Sequence, residues 1–437
     1  MSFEQLDQHV IVQGLCVRCG LCVGVCPVLA LGFNDDGYPQ LIGKCTGCEF
    51  CNSCCPGGDV DFPALSRRVY GVDYDPLSLQ GYVENMYVAY PGDSAVREAG
   101  ASGGLVTGLL LYLLAKKKID GAVVAGMDPE KPYCTKGVLA TTAEEIIAAA
   151  RSKYSVTPSM DVLQFLRRSK GRFAVVGLPC QIQGLRKLEK VDPGLSAKIY
   201  CLFGLYCHCN LERNAPKEAI EVKGIDLADV ARFDFRGGAW PGRFQVTKKD
   251  GAVISLYSIN PTTVLNVLFR LYGAKRCFLC VDALAEYADL SFGDFWAHDY
   301  TGTLAEMERC TLVSQRTQTG ASLLQEAVAD GAIILQRLPE ERASKRILNM
   351  ARGKKQKAWA QLISRAGDNE AIPRYHFDIP EPSSKAKRSL FMFFFYSLLR
   401  GIRLRKFILK IFFSPVGGVI DYLNLRRKRW FCNYHGN

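Results

Sequence analysis

Long apolar runs are missing from this sequence of 437 residues. The stretch 389–399 holds 11 mostly apolar residues, well short of the roughly 20 that a membrane-spanning helix needs. Residues 1–13 have neither a basic start nor an apolar core, so no secretory leader is expected. Histidine is scarce, with five copies, which leaves few general bases for a nucleophilic enzyme. Acid is almost absent from the last segment: 385–437 contains 12 Lys and Arg against one carboxylate, Asp421. Nearly all of the net charge of +12 is therefore a property of the tail. The body gives no reason to expect a nucleic-acid partner.

Cysteine, in contrast, is abundant. There are 18, and nine of them fall between Cys16 and Cys55. A cytoplasmic chain with this usage reads as metal-binding or redox-active, not as a disulfide scaffold. The length suggests two to three domains, enough to bury a core without staples.

The nine cysteines contain a repeat. Cys16-x2-Cys19-x2-Cys22-x3-Cys26-Pro27 recurs as Cys45-x2-Cys48-x2-Cys51-x3-Cys55-Pro56. Three thiolates at i, i+3 and i+6 can wrap one face of a 4Fe–4S cluster, and a fourth must come from elsewhere. A zinc ribbon would need paired Cys-x2-Cys knuckles, which triplets closed by Cys-Pro do not supply. Over 15–56 the segment resembles the two-cluster bacterial ferredoxins, in which the Cys before Pro ligates the other cluster. That pattern gives Cys16, Cys19, Cys22 and Cys55 to one cluster, and Cys45, Cys48, Cys51 and Cys26 to the second. Cys54 is left as a neighbour. Between the copies, Asn34-Asp35-Asp36-Gly37 reads as a turn between short strands.

The expected organisation is a ferredoxin-like domain over 1–65, a linker over 66–85, a body over 86–224 and 225–384, and a basic amphipathic tail over 385–437. In the body, strands at 87–90, 121–126, 173–177 and 198–206 alternate with helices at 104–117, 143–151 and 181–190. This pattern predicts an α/β fold, an α+β body with a mixed, mostly parallel sheet. Beyond 225 the texture changes to alternating strands at 244–247 and 253–257, with helices at 263–272 and 322–330.

Several local motifs could carry chemistry. Ala101-Ser102-Gly103-Gly104 opens a helix, where backbone N–H groups can approach a phosphate; a plain helix cap at Ser102 explains it equally well. Cys180, in Gly177-Leu178-Pro179-Cys180-Gln181, follows a strand and precedes a helix, the place where open α/β sheets bind ligands. It could be a nucleophile, a cluster ligand or an inert thiol. Cys277-x2-Cys280 is a further pair, and Cys201, Cys207 and Cys209 lie near the end of another strand; Cys180, one of these three, Cys277 and Cys280 would make four ligands from three segments, enough for a third cluster. Asp294 ends a strand, in a simple turn or beside a flavin or substrate.

With these motifs the chain resembles the coenzyme F420 hydrogenase/dehydrogenase beta-subunit family, fused to a ferredoxin module. The matching residues are Ala101–Thr107, Ser152-Lys153-Tyr154, the Gly-x-Pro-Cys-Gln motif, the stretch ending at Cys207, 233–236, Cys277-x2-Cys280-x-Asp282 and 288–294. Arg316-Thr317 with Gly320 also fits. The resemblance implies a flavin, usually FAD, with Ser102, Gly103, Gly104, Lys153 and Tyr154 at its site. It also implies a third 4Fe–4S cluster on Cys180, Cys207, Cys277 and Cys280. Cys207 is preferred to Cys209 because it closes the matching stretch.

Such a chain would be an iron–sulfur flavoprotein oxidoreductase. Its flavin would exchange a hydride with a deazaflavin or another organic substrate, and its clusters would pass single electrons. Some relatives accompany surface-polysaccharide biosynthesis. The alternative is a non-enzymatic electron-transfer subunit docked on a partner reductase. Expected partners are a redox protein or small electron carrier and an organic substrate. The tail, including the basic cluster 426–429, reads as an interfacial segment on the inner face of the cell membrane. Packing of the tail on the body is the competing explanation.

Overall fold

The computed structural model describes residues 3–423 except 239, 241, 259, 296–308 and 339. The basic cluster 426–429 lies outside the described residues.

The two copies of the cysteine repeat fold alike. In each, the residue before the second Cys and the residue after it take left-handed backbone: Arg18 and Gly20 in one copy, Gly47 and Glu49 in the other. These reversals curl the chain around its own thiols. A single helical turn follows in each copy, Leu21–Gly24 and Phe50–Ser53. Between the copies, β1 (Leu31–Phe33) and β2 (Pro39–Leu41) pair as a hairpin. Its turn is fixed by the Tyr38 amide donating to Asn34 Oδ1 at 2.9 Å and by Gly37 at φ +81°.

The body is built on one sheet of eight strands. These are β3 (Asn85–Pro91), β4 (Gly121–Met127), β5 (Thr135–Ala140), β6 (Phe173–Gly177), β7 (Ile199–Leu205), then β11, β12 and β13 below. A smaller antiparallel sheet contains β8 (Val230–Gly237), β9 (Arg243–Lys248) and β10 (Val253–Ser255). The chain then returns to the main sheet with β11 (Leu290–Asp294), β12 (Thr311–Gln315) and β13 (Ile333–Arg337). The order is β13-β3-β12-β11-β7-β6-β4-β5. The expected mixed sheet is present, but its balance is less parallel than expected. Only β11-β7, β7-β6 and β6-β4 pair in parallel, and the other four described pairings are antiparallel. Hairpin-type returns at β4–β5 and β11–β12, with β3 and β13 added at one edge, account for the difference.

The segment expected as a linker is fastened along its length. Helix Phe62–Tyr70 starts it, capped by Asp61 accepting from Ala64 N–H. Buried Tyr287 donates to the carbonyl of Phe62 at 2.8 Å. Lys355 holds the Ser78 carbonyl at 2.6 Å, and buried Arg316 donates to the carbonyls of Gln80 and Tyr82. Arg316 also reaches Ser291 Oγ at 2.7 Å, so this residue is spent on packing.

The tail forms two helices. Ser384–Leu398 packs against helix Pro261–Tyr272 and against the long helix Glu340–Gly367. Ile402–Phe412 packs against Ala215–Val222, burying Leu409 and pairing Arg405 Nε with Glu218 Oε2 at 2.8 Å. The tail therefore docks on the body with one face. Among the described residues no helix is long and apolar enough to cross a membrane.

Candidate redox site

The repeat cysteines assemble into two groups. Cys16, Cys19, Cys22 and Cys55 are electrostatic neighbours: burial and then mutual repulsion push the Cys16, Cys19 and Cys22 thiols up, Cys16 to about 12. Cys51 is raised to about 12 by burial and then by Cys48, Cys45 and Cys26. These four thiols also line one small cavity. The sulfurs meet amide donors two to four residues on: Arg18 to Cys16, Gly47 to Cys45, Gly57 to Cys55 and Ala30 to Cys26, at 3.3–3.4 Å. Amides aimed at sulfur favour the thiolate, the form that binds iron. Cys54 is fully buried beside both groups.

A third group joins distant segments. Pro179 at the first turn of helix Pro179–Val191 sets its start, and Gln181 Oε1 accepts from Leu178 N–H at 2.8 Å. Gln181 Nε2 then ties the turn to Ser159 Oγ at 3.0 Å. Cys180 is thereby held at the end of β6, with Cys280, Cys207 and Cys277 around it and Cys19 close by. Cys207 follows β7, with its amide on the Ala283 carbonyl at 2.8 Å. Cys277 lies within the 3₁₀ turn Lys275–Leu279, and Cys280 caps its C-terminal end. Cys209 is hydrogen-bonded to Cys277, which lowers the Cys277 thiol to about 6. Cys201 is buried inside β7 and belongs to the core.

A cavity of about 1040 Å³ adjoins this third group, at the upper end of the range for ligand sites. The parallel strands β6, β7 and β11 end on it and β4 lines it at Val124 and Ala125, as the switch-point rule requires. Its wall includes Ser102, Gly104, Lys153, Tyr154 and Asp294, five of the six expected flavin-site residues, together with Cys207 and Cys209. Gly103 is not on the wall. It has φ +82°, and a Cβ there would lie 2.2 Å from the Arg309 carbonyl, so only glycine suits this turn. Gly104, φ +70°, precedes helix Leu105–Ala115 and leaves its first amides open. Among the described residues, Ser102 Oγ and Ser155 Oγ are buried on the wall without a hydrogen-bond partner. Open amides, orphaned hydroxyls and this volume fit a phosphate-bearing cofactor of dinucleotide size.

Two expected residues have partners within the protein. Lys153 donates to the carbonyls of Ala149, Ala150 and Arg151, which follow helix Ala143–Ala148, and burial lowers its ammonium to about 7. Asp294 accepts two hydrogen bonds from Arg236 Nη1, each at 2.9 Å. Arg236 and Ser155 are additional wall residues, the first within a stretch that carries the family resemblance and the second without a sequence signal.

Known proteins resemble both the body and the cysteine-rich N-terminal segment. The profile for the N-terminal part of the coenzyme F420 hydrogenase/dehydrogenase beta subunit matches residues 86–164, and that for its C terminus matches 170–341. A 4Fe-4S binding domain matches 9–32. The chain is 31% identical over 319 residues to the coenzyme F420-dependent sulfite reductase of Methanocaldococcus jannaschii. That match covers 69% of this chain and 46% of the relative, so the chain spans about half of that protein's length. It is 29% identical over 296 residues to the coenzyme F420 hydrogenase subunit beta of Methanothermobacter thermautotrophicus, covering 65% of this chain and 96% of the relative. The corresponding subunit of Methanococcus voltae is 30% identical over 245 residues, 55% of this chain and 80% of the relative. A chain from the F420-reducing [NiFe] hydrogenase complex of Methanosarcina barkeri shares the fold. Its TM-score is 0.54 at 24% identity, over 69% of this chain and 99% of that chain.

Proposed function

Because the chain belongs to the coenzyme F420 hydrogenase/dehydrogenase beta-subunit family and carries a 4Fe-4S binding domain, we propose that it is a flavin-dependent iron–sulfur oxidoreductase with three clusters. The ferredoxin module exchanges electrons with a partner redox protein. Cys180, Cys207, Cys277 and Cys280 hold the third cluster, next to the large cavity. The cavity holds FAD, with its phosphates at Ser102, Gly104 and the start of helix Leu105–Ala115. A bound flavin supplies the exchange between hydride and single-electron chemistry. Arg236 keeps Asp294 fixed on the wall where an organic substrate would stand.

The observation that carries this reading is the serial arrangement of the thiols. Cys48 is exposed in one group, Cys19 of the other ferredoxin group lies beside Cys180, and Cys207 lines the cavity. Such a series connects a protein surface to a substrate site. Anaerobic purification with iron, sulfide and flavin quantitation tests it. About twelve irons, four per cluster, with one flavin are expected. About eight irons without flavin would leave only an electron relay. A donor screen then compares reduced F420 with surface-polysaccharide intermediates as the organic partner.

The tail belongs to the same reading as a peripheral membrane contact. Phe391, Phe395, Leu398, Ile402 and Phe407 are exposed on its two helices, among many Lys and Arg. An apolar face with basic flanks suits an anionic bilayer surface.

A further inference from the structure

Lys354 lies in helix Glu340–Gly367, beyond the residues that the family profiles match. It is 5% exposed. Its ammonium donates to the Cys207 carbonyl at 2.6 Å and to the Asp282 carbonyl at 2.7 Å. Lys355, the next residue, is equally buried but has Glu286 as an ion-pair partner at 2.9 Å. Among the described residues Lys354 has no such partner. The Asp282 carboxylate is engaged elsewhere, accepting from Gln183 Nε2 and from the amides of Leu284 and Glu286.

A buried ammonium without a counter-charge is strongly unfavourable. This one stands against the third thiol group: it holds the carbonyl of Cys207 itself, and the Asp282 carbonyl that it shares also accepts from Cys280 Sγ at 3.4 Å. The negative charge that Lys354 faces is thus the third thiol group.

We infer that Lys354 is the built-in counter-ion of the third cluster and raises its reduction potential. The inference rests on the third-cluster reading above. A 4Fe–4S cluster on four thiolates is an anion. One electron, received from the neighbouring ferredoxin cluster, makes it one charge more negative, with no bond broken and no proton needed. A fixed cation at the ligand shell favours that more negative state. An electron is thereby drawn toward the cavity end of the chain. Lys354 is a positioning charge, not a ligand, since its contacts are to backbone carbonyls.

The test is a redox titration of the anaerobically purified full chain, monitored by electron paramagnetic resonance, with Lys354→Gln and Lys354→Arg. The expected result is a lower potential for the third cluster in K354Q, a parent-like value in K354R, and unmoved ferredoxin clusters in both. An unshifted K354Q, or a K354R shifted as far as K354Q, overturns the inference. If K354Q retains only about eight irons, four per cluster, K354R decides: twelve irons at the parent potential uphold the charge, and eight overturn it. About eight irons in the parent would remove the third cluster itself, a failure distinct from an unshifted potential.

Discussion

The amide of Met160 donates to the carbonyl of Cys19 at 3.0 Å. This bond joins the first thiol group of the ferredoxin module directly to the body, one loop away from β5 and β6. Two glycines make the approach possible. A Cβ on Gly24 would lie 2.0 Å from the Met160 carbonyl, and one on Gly20 would lie 2.4 Å from the Pro158 carbonyl. Gly24→Ala is therefore expected to push the module off the body. The cost is about 1–3 kcal/mol, the usual penalty of overpacking. Thermal melting should register that loss. Reduction of the cavity end by an artificial donor to the ferredoxin clusters should slow by at least tenfold, while module iron is retained. Unchanged internal transfer would show that this contact is not the electron path.

The two thiols near the end of β7 should behave differently. Cys180 faces Cys207, Cys277 and Cys280, whereas Cys209 is hydrogen-bonded to Cys277 and donates to the Asn210 carbonyl at 3.3 Å. Cys207→Ser should reduce iron from about twelve to about eight per chain, four per cluster. Cys209→Ser keeps a hydroxyl donor in place and should retain all of it. Loss of four irons in C209S with retention in C207S would reverse the assignment. Iron and sulfide analysis after anaerobic purification reads both variants.

How much of this was legible in the sequence depended on distance along the chain. The ferredoxin repeat could be read because its cysteines are local, three residues apart. The pairing of Cys26 with 45–51 and of Cys55 with 16–22 needed only the crossed-ligand pattern. The third group draws on residues from 180 to 280; strand ends and the Cys-x2-Cys pair suggested Cys180, Cys277, Cys280 and one of Cys201, Cys207 and Cys209, and the resemblance selected Cys207. Strand β5 was missed because Lys136 and Gly137 break any strand pattern. The antiparallel pairings at both sheet edges followed from that kind of omission. Lys354 was invisible for a different reason. It stands next to Lys355 on a helix rich in Lys and Arg, and such a run ordinarily marks a solvated face. Only tertiary packing turns these two lysines inward.

Acidity should report on the same junction. Asp161 sits in the 3₁₀ turn Ser159–Val162, its Oδ1 buried without a partner. Burial raises its carboxyl to about 6. A folded-state value above the unfolded one means that the folded chain keeps the proton longer. Stability is then fullest below about pH 4 for this group and falls as pH rises through about 6, by roughly 3 kcal/mol in all. Asp161→Asn should match the parent at low pH, exceed its stability above pH ~6, and lose the slope between. Melting temperatures of the holoprotein across this window check it. A parent-like slope in D161N would place the titration elsewhere.

The tail permits a sharper membrane test than truncation. Deleting it would strip Leu409 and Phe413 from the core around Phe244 and Val264 and break the Arg405–Glu218 pair. A resulting loss of membrane binding would then be confounded with damage to the body. Substitutions on the outward face avoid this, because Phe391, Ile402 and Phe407 are 74%, 60% and 60% exposed. The triple change Phe391→Ser, Ile402→Ser and Phe407→Ser should leave melting and iron content unaltered. It should abolish sedimentation with vesicles rich in anionic lipid. The parent should bind such vesicles, bind zwitterionic ones far less, and release as salt rises, since surface cations contribute roughly 1 kcal/mol each before screening. Equal binding of parent and variant would mean that the exposed apolar face does not meet the bilayer. A docking surface for a second protein would then be its remaining use.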